Sequence, residues 1–65
     1  MSHSATQVYG LPRLLTVDET AEYLRVDRST VYRLEREGEL RSVRVGRRRR
    51  FRPDDLRVYL ERGSP

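Results

Sequence analysis

Residues 16–34 read TVDETAEYLRVDRSTVYRL, and the spacing within them decides the fold. Thr16-Val17-Asp18-Glu19 has the form of a capping box, in which the Thr16 hydroxyl accepts an orphan backbone N–H and Glu19 reaches back to the cap. Val17, Ala21 and Leu24 then recur at i, i+4 and i+7, with Asp18, Glu19 and Glu22 off that stripe. This predicts a short helix over about residues 17–25 that needs a tertiary partner to persist. Asp27 supplies the next N-cap, and Val26 before it is placed to staple onto Val31. Stepping 100° per residue from Arg28 puts Thr30, Val31 and Leu34 between about 200° and 300°. Arg28, Ser29, Tyr32, Arg33 and Arg36 fall between about 0° and 140°. One face of the second helix is therefore core, and the opposite face carries three arginines, a serine and a tyrosine. Glu35 and Glu37 sit just outside the basic arc, where they repel misplaced phosphate and narrow the footprint. Gly38 provides a left-handed stop, and Leu40 returns to the core.

Beyond this unit, residues 40–53 (LRSVRVGRRRRFRP) hold seven of the 14 arginines and no acidic residue. Val43 and Val45 alternate with Arg44, and Phe51 falls between Arg50 and Arg52, which predicts two short strands facing the core on alternate residues. Gly46 marks their turn, with the loop at about residues 46–48. Pro53 opens a third helix, Asp54 and Asp55 sit at the positive end of its dipole, and Leu56, Tyr59 and Leu60 form its buried stripe. Val58 lies off that stripe, either exposed or in contact with another molecule. Residues 1–13 mix small polar residues with Gly10 and Pro12 and show no apolar period, so they read as a mobile tail with His3 in solvent. Docking of Tyr9 and Leu11 is the alternative there. The organisation is thus a tail over 1–13, one domain over 14–62 and a short C-terminal tail over 63–65.

A chain of 65 residues has room for one small core, which buries only ~60% of the surface of the unfolded chain. With no cysteine and one histidine, a disulfide frame and a thiolate zinc site are excluded, and a reducing cytoplasm suits the chain. No apolar run approaches the ~20 residues that span a bilayer, and no signal-peptide core follows Met1. The net charge is +4, with a pI near 10.3. Its distribution is uneven: residues 1–40 carry five arginines against seven acidic residues, and residues 41–65 carry nine against three. A local positive field of this kind points to nucleic acid or an anionic surface as partner. Asp54 and Asp55 are adjacent at a helix start and read as dipole partners, not as an acid/base pair. No Ser-His-Asp set, phosphate-cradling glycine loop or metal cluster is present, so neither catalysis, a cofactor nor a small-molecule ligand is expected.

Ala21, Leu24, Val26, Val31 and Leu34 are spaced as two helices packed steeply around a tight turn, the helix-turn-helix spacing. A basic, hydrogen-bonding second helix followed at once by a basic hairpin makes duplex DNA the favoured partner over a plain helical hairpin. The chain from about residue 14 to 62 resembles the excisionase-type, MerR-like winged helix-turn-helix family. The landmarks are LTVDETAEYL (15–24), DRSTVYRL (27–34), EGEL (37–40), VGRRRRF (45–51) and RPDDLRVYL (52–60). The resemblance implies a mainly α fold: a helix-turn-helix, a two-stranded wing and a closing helix. It also implies that the helix capped by Asp27 enters the major groove while the wing contacts the flanking minor groove and phosphates. Two positions depart from the family: Arg25 stands where many helix-turn-helix units have glycine, and Arg49 where many relatives carry a wing aromatic.

Residue chemistry assigns the roles. Arg33 and Arg36 suit bidentate contacts to guanine edges, Ser29 and Tyr32 suit bases or phosphates, and Arg28 suits phosphate as well as base. Arg47, Arg48 and Arg50 are candidates for the minor groove or phosphates, with Arg44 and Arg52 as flanking phosphate contacts. Six neutralised phosphates would give a log–log salt slope of ~−5. The resemblance implies an excisionase, whose protomers bind cooperatively and bend DNA so that an integrase assembles an excisive complex. The alternatives are a small MerR-like transcriptional regulator, distinguished only by its target since no effector or coiled-coil region follows the closing helix, and a basic RNA-binding protein. RNA readers favour aromatic platforms, and only Tyr32 and Phe51 lie near the basic surface.

Overall fold

In the computed structural model, which describes residues 7–8 and 11–63, Thr16 starts helix α1 (Val17–Leu24) with the full capping box. The Glu19 N–H donates to Thr16 Oγ1 at 3.0 Å, and the Thr16 N–H donates to Glu19 Oε1 at 2.9 Å. Asp27 caps α2 (Arg28–Arg36), its carboxylate accepting from the Thr30 N–H at 3.2 Å. Between the helices Arg25 takes the left-handed conformation, φ 61° and ψ 44°. The Val26 N–H closes back onto the Ala21 carbonyl at 3.0 Å, the six-to-one bond of a Schellman stop. This three-residue turn makes α1 and α2 neighbours and fixes how α2 is presented. Gly38, at φ 79°, ends α2 as the spacing predicts, and the Glu39 and Leu40 N–H groups both reach the Leu34 carbonyl.

Strands β3 (Val43–Val45) and β4 (Arg48–Arg50) pair antiparallel with Val43 opposite Arg50, Arg44 opposite Arg49 and Val45 opposite Arg48. The loop is therefore two residues, Gly46 and Arg47, one shorter than the expected 46–48. Gly46 has φ 62° and Arg47 does not share it, the φ pattern of a type II′ turn with glycine first. Phe51 follows β4 and forms an isolated bridge with Leu15, each N–H donating to the other's carbonyl at 2.7 and 2.8 Å. That bridge ties the segment entering α1 to the segment entering α3 (Pro53–Glu61), and so anchors the base of the hairpin. The result is a mainly helical winged helix-turn-helix.

The core is Val17, Ala21, Val31, Leu34, Leu40, Phe51 and Leu56, with Leu15, Leu24, Tyr32 and Tyr59 packed against it. Several expectations are corrected. Val26 is 37% exposed, because the Schellman turn carries it to the outside of the corner. Val45, in the last pair before the turn, projects beyond the core and is 53% exposed. Leu60 is 48% exposed and opens onto an apolar groove of about 660 Å³ that it lines with Leu15, Tyr23 and Leu56. Val58 is exposed. Conversely, Thr20 is fully buried, which its hydroxyl tolerates by donating to the Thr16 carbonyl at 2.8 Å. Within the stretch read as a tail, β1 (Gln7–Val8) pairs antiparallel with β2 (Leu11–Pro12), and Leu11 is exposed. The expectations for His3, Tyr9, Ser64 and Pro65 lie outside the described residues.

Candidate nucleic-acid interface

The first turn of α1, the start of α2 and the β3–β4 hairpin enclose a cleft of about 380 Å³. Six arginines line it: Arg28 from α2, and Arg44, Arg47, Arg48, Arg49 and Arg50 from the hairpin. Tyr32 completes the α2 wall, and Asp18 is the only carboxylate among the lining residues. So many guanidinium groups around one concavity focus a positive field, the condition that attracts a polyanion. Of the residues expected from sequence, Arg28, Tyr32, Arg44, Arg47, Arg48 and Arg50 converge here. Ser29, Arg33 and Arg36 lie outside the cleft, exposed on α2. Arg52 also lies outside it, at the cap of α3, where it sits 3.8 Å from Asp55.

Within the cleft the hairpin is held to α2 by one side chain that sequence reasoning left out. The Arg49 guanidinium carbon lies 5.1 Å from the centre of the Tyr32 ring, and its Nε lies 3.4 Å from Glu35 Oε1. The other Glu35 oxygen accepts from the Ser42 hydroxyl at 2.8 Å. Glu35 thus does not only bound the basic arc; half-buried, it joins α2 to the segment entering β3 and to β4. Its charge also offsets that of Arg49, whose cross-strand partner is Arg44, two like charges that oppose the hairpin when unbalanced. Arg49 stands at the position named for its missing aromatic, and the guanidinium lying over Tyr32 does the packing there. The signal was available in α2: Tyr32 and Glu35 are three residues apart and adjacent on the helix surface, an aromatic face beside a carboxylate.

The other charged groups on this surface are paired less firmly. Arg28 Nε lies 3.1 Å from Asp18 Oδ1, and Arg28 Nη2 donates to the Tyr32 hydroxyl at 3.4 Å. The Tyr32 hydroxyl and then the Asp18 charge raise the Arg28 pKa further above its ordinary value, so it stays charged. Arg33 and Glu37 form an exposed i,i+4 pair at 3.4 Å. Hydrogen bonds from Thr30 hold the Asp27 carboxyl below its ordinary pKa, and the backbone N–H of Thr16 does the same for Glu19. Both caps therefore stay ionised where they are needed to start α2 and α1. Among the described residues no group of three or more His, Cys, Asp or Glu side chains is placed to hold a metal ion. No described helix is long and apolar enough to cross a membrane.

Comparison with known proteins adds a consistent outline. A family model described as "Helix-turn-helix domain" matches residues 14–64. The protein of Mycobacterium tuberculosis strain H37Rv named "Putative DNA-binding protein Rv0500A" is 49% identical over 49 residues, which is 75% of this chain and 63% of that one. "Uncharacterized protein Mb2337" of Mycobacterium bovis is 45% identical over 47 residues, 72% of this chain and 41% of that one. The match thus spans under two thirds of the length of these relatives. No solved structure matches the chain.

Proposed function

The chain belongs to the helix-turn-helix domain family, and on that premise we propose that it is a sequence-specific duplex-DNA-binding protein with α2 as recognition helix and the β3–β4 hairpin as wing. The observation that carries this reading is the six-arginine cleft between the start of α2 and the hairpin. An α-helix fits the major groove, and an arginine-rich hairpin beside it reaches the next minor groove and its phosphates. Arg28, Ser29, Tyr32, Arg33 and Arg36 act from the helix, and Arg44, Arg47, Arg48, Arg50 and Arg52 from the wing. The name of the mycobacterial relative as a DNA-binding protein supports the same partner.

Within that reading the role is an excisionase in the cytoplasm, a directionality factor that works by architecture and not by catalysis. A single module of this kind buries only ~600–1,000 Å² on DNA, so affinity comes from neighbouring protomers on repeated sites. Several such modules bend the duplex and present it to an integrase. The experiment is in vitro site selection followed by a reconstituted excision reaction with the cognate integrase, with and without the protein. Enrichment of a site with repeated elements, and excision only in its presence, are the expected results. Occupancy of a promoter without effect on excision makes it a MerR-like regulator instead. Equal affinity for structured RNA and for the selected duplex refutes the reading altogether.

A further inference from the structure

The lone carboxylate in a cleft of six arginines needs a reason. Asp18 is the second residue of α1, where a negative charge favours the helix dipole, so stability alone could explain an acid there. Its geometry goes further. Asp18 Oδ1 meets Arg28 at Nε, 3.1 Å away, and Tyr32 meets the same guanidinium at Nη2, 3.4 Å away. A guanidinium offers five N–H donors in a rigid fork. With Nε taken, the side edge of the fork is engaged, while Nη1 and a second hydrogen on Nη2 still form the end-on edge. That edge still spans the O6 and N7 acceptors of guanine.

We infer that Asp18 is a positioning residue that holds Arg28 end-on as a guanine reader, excluding it from the phosphate backbone. The inference deepens the proposed function and rests on it. The sequence alone leaves Arg28 equally suited to phosphate and base, and the pair with α1 decides between them. A phosphate approaching Arg28 must come close to the Asp18 carboxylate, which repels it. The uncharged acceptors of guanine meet no such repulsion. Arg28 is also the first residue of α2, the end of a recognition helix from which base edges are read. Because Asp18 comes from α1 and Arg28 from α2, the short turn through Arg25 and Val26 sets this pair as well as the helix packing.

The test is site selection, with affinity measured against salt, on the full chain and its variants Asp18→Asn, Asp18→Glu and Arg28→Ala. Arg28→Ala should erase a guanine preference at one base position, roughly 5- to 150-fold by the usual worth of a bidentate contact. Asp18→Asn should weaken that same preference, tighten binding to random duplex and steepen the salt slope by ~0.9, the value of one added phosphate contact. Asp18→Glu should restore part of the preference. Thermal melts run alongside: an Asp18→Asn protein that melts lower yet keeps the wild-type base profile and salt slope overturns the inference, leaving only the helix dipole. Loss of preference at a different base from Arg28→Ala overturns it too. A wild type that enriches no site defeats the proposed function itself, whereas a wild type with a site and an unaltered Asp18→Asn profile defeats only the pairing.

Discussion

Arg49→Ala separates an arginine that builds the interface from those that grip DNA. The substitution removes a guanidinium 5.1 Å from the Tyr32 ring centre and 3.4 Å from a Glu35 oxygen. A cation–π contact at a partly exposed site contributes ~0.5–1 kcal/mol. The ion pair is partly shielded, with side-chain exposures of 28% and 26%. Its gross attraction at an effective dielectric of 20 is ~5 kcal/mol, most of which desolvation offsets, leaving about 1 kcal/mol. The expected loss of stability is therefore ~1.5–2 kcal/mol. In a domain of this size each kcal/mol lowers Tm by ~4–8 °C, so the variant should melt roughly 6–16 °C lower. Arg48→Ala, at an exposed wing residue, should leave Tm nearly unchanged and reduce the salt slope of DNA binding by ~0.9. Circular dichroism melts and anisotropy titrations at several salt concentrations measure both quantities. An Arg49→Ala protein that melts within ~2 °C of wild type and loses the same slope as Arg48→Ala would refute the clasp and make Arg49 an ordinary phosphate contact. A double-mutant cycle with Glu35→Gln should return a coupling of at least ~0.5 kcal/mol.

Arg25→Gly should raise stability by ~0.5–1 kcal/mol, because the left-handed backbone at φ 61° strains any residue with a Cβ more than the extra chain entropy of glycine costs; chemical denaturation measures it. Glu19 and Asp27 have folded pKa values below their ordinary 4.5 and 3.8, so their stabilisation is present above those values and is lost as pH falls through the folded ones. Tm should drop on acidification below that range, and Asp27→Asn, which caps without titrating, should remove part of the drop. Arg33→Ala should weaken specific binding by ~1–3 kcal/mol and relax one base position, while Arg48→Ala weakens binding across sequences; equal loss of sequence preference in quantitative mobility shifts would refute that division.

Local chemistry made much of the fold legible. The starts of α1 and α2 are set by side chains within three residues of the bonds they make, Thr16 with Glu19 and Asp27 with Thr30. Gly38 and Pro53 punctuate α2 and α3 for reasons equally local. What escaped depends on where partner surfaces end. Val26, Val45 and Leu60 carry the right period, yet each lies past the edge of the core it was expected to join. The Leu15–Phe51 bridge joins residues 36 positions apart and leaves no periodic trace. The wing shows the sharpest case. A loop of three residues instead of two shifts β4 by one position, and a shift of one sends every side chain to the other face. The turn at Gly46 and Arg47 is thus what sets Arg49 opposite Arg44 and onto α2. Sequence supplied the charge of the wing but not which arginine was already committed.

That commitment changes how the charge of the cleft converts into DNA binding. The acidic neighbours sort otherwise identical arginines. The Arg33–Glu37 pair, half exposed on both sides, is worth ~0–1 kcal/mol. The Arg49–Glu35 pair, more shielded and stacked on Tyr32, stays closed. Among the described residues no carboxylate pairs with Arg44, Arg47 or Arg48. Six cleft arginines and the flanking Arg52 on seven phosphates would give a salt slope of about −6.3 at ~0.9 per contact. If Arg49 binds protein and Arg28 reads a base, Arg44, Arg47, Arg48 and Arg50 remain for phosphates together with the flanking Arg52, and at ~0.9 per contact these five give a slope of about −4.5. A measured slope of about −6.3 means that Arg49 and Arg28 turn to the backbone on binding, which would undo both assignments at once.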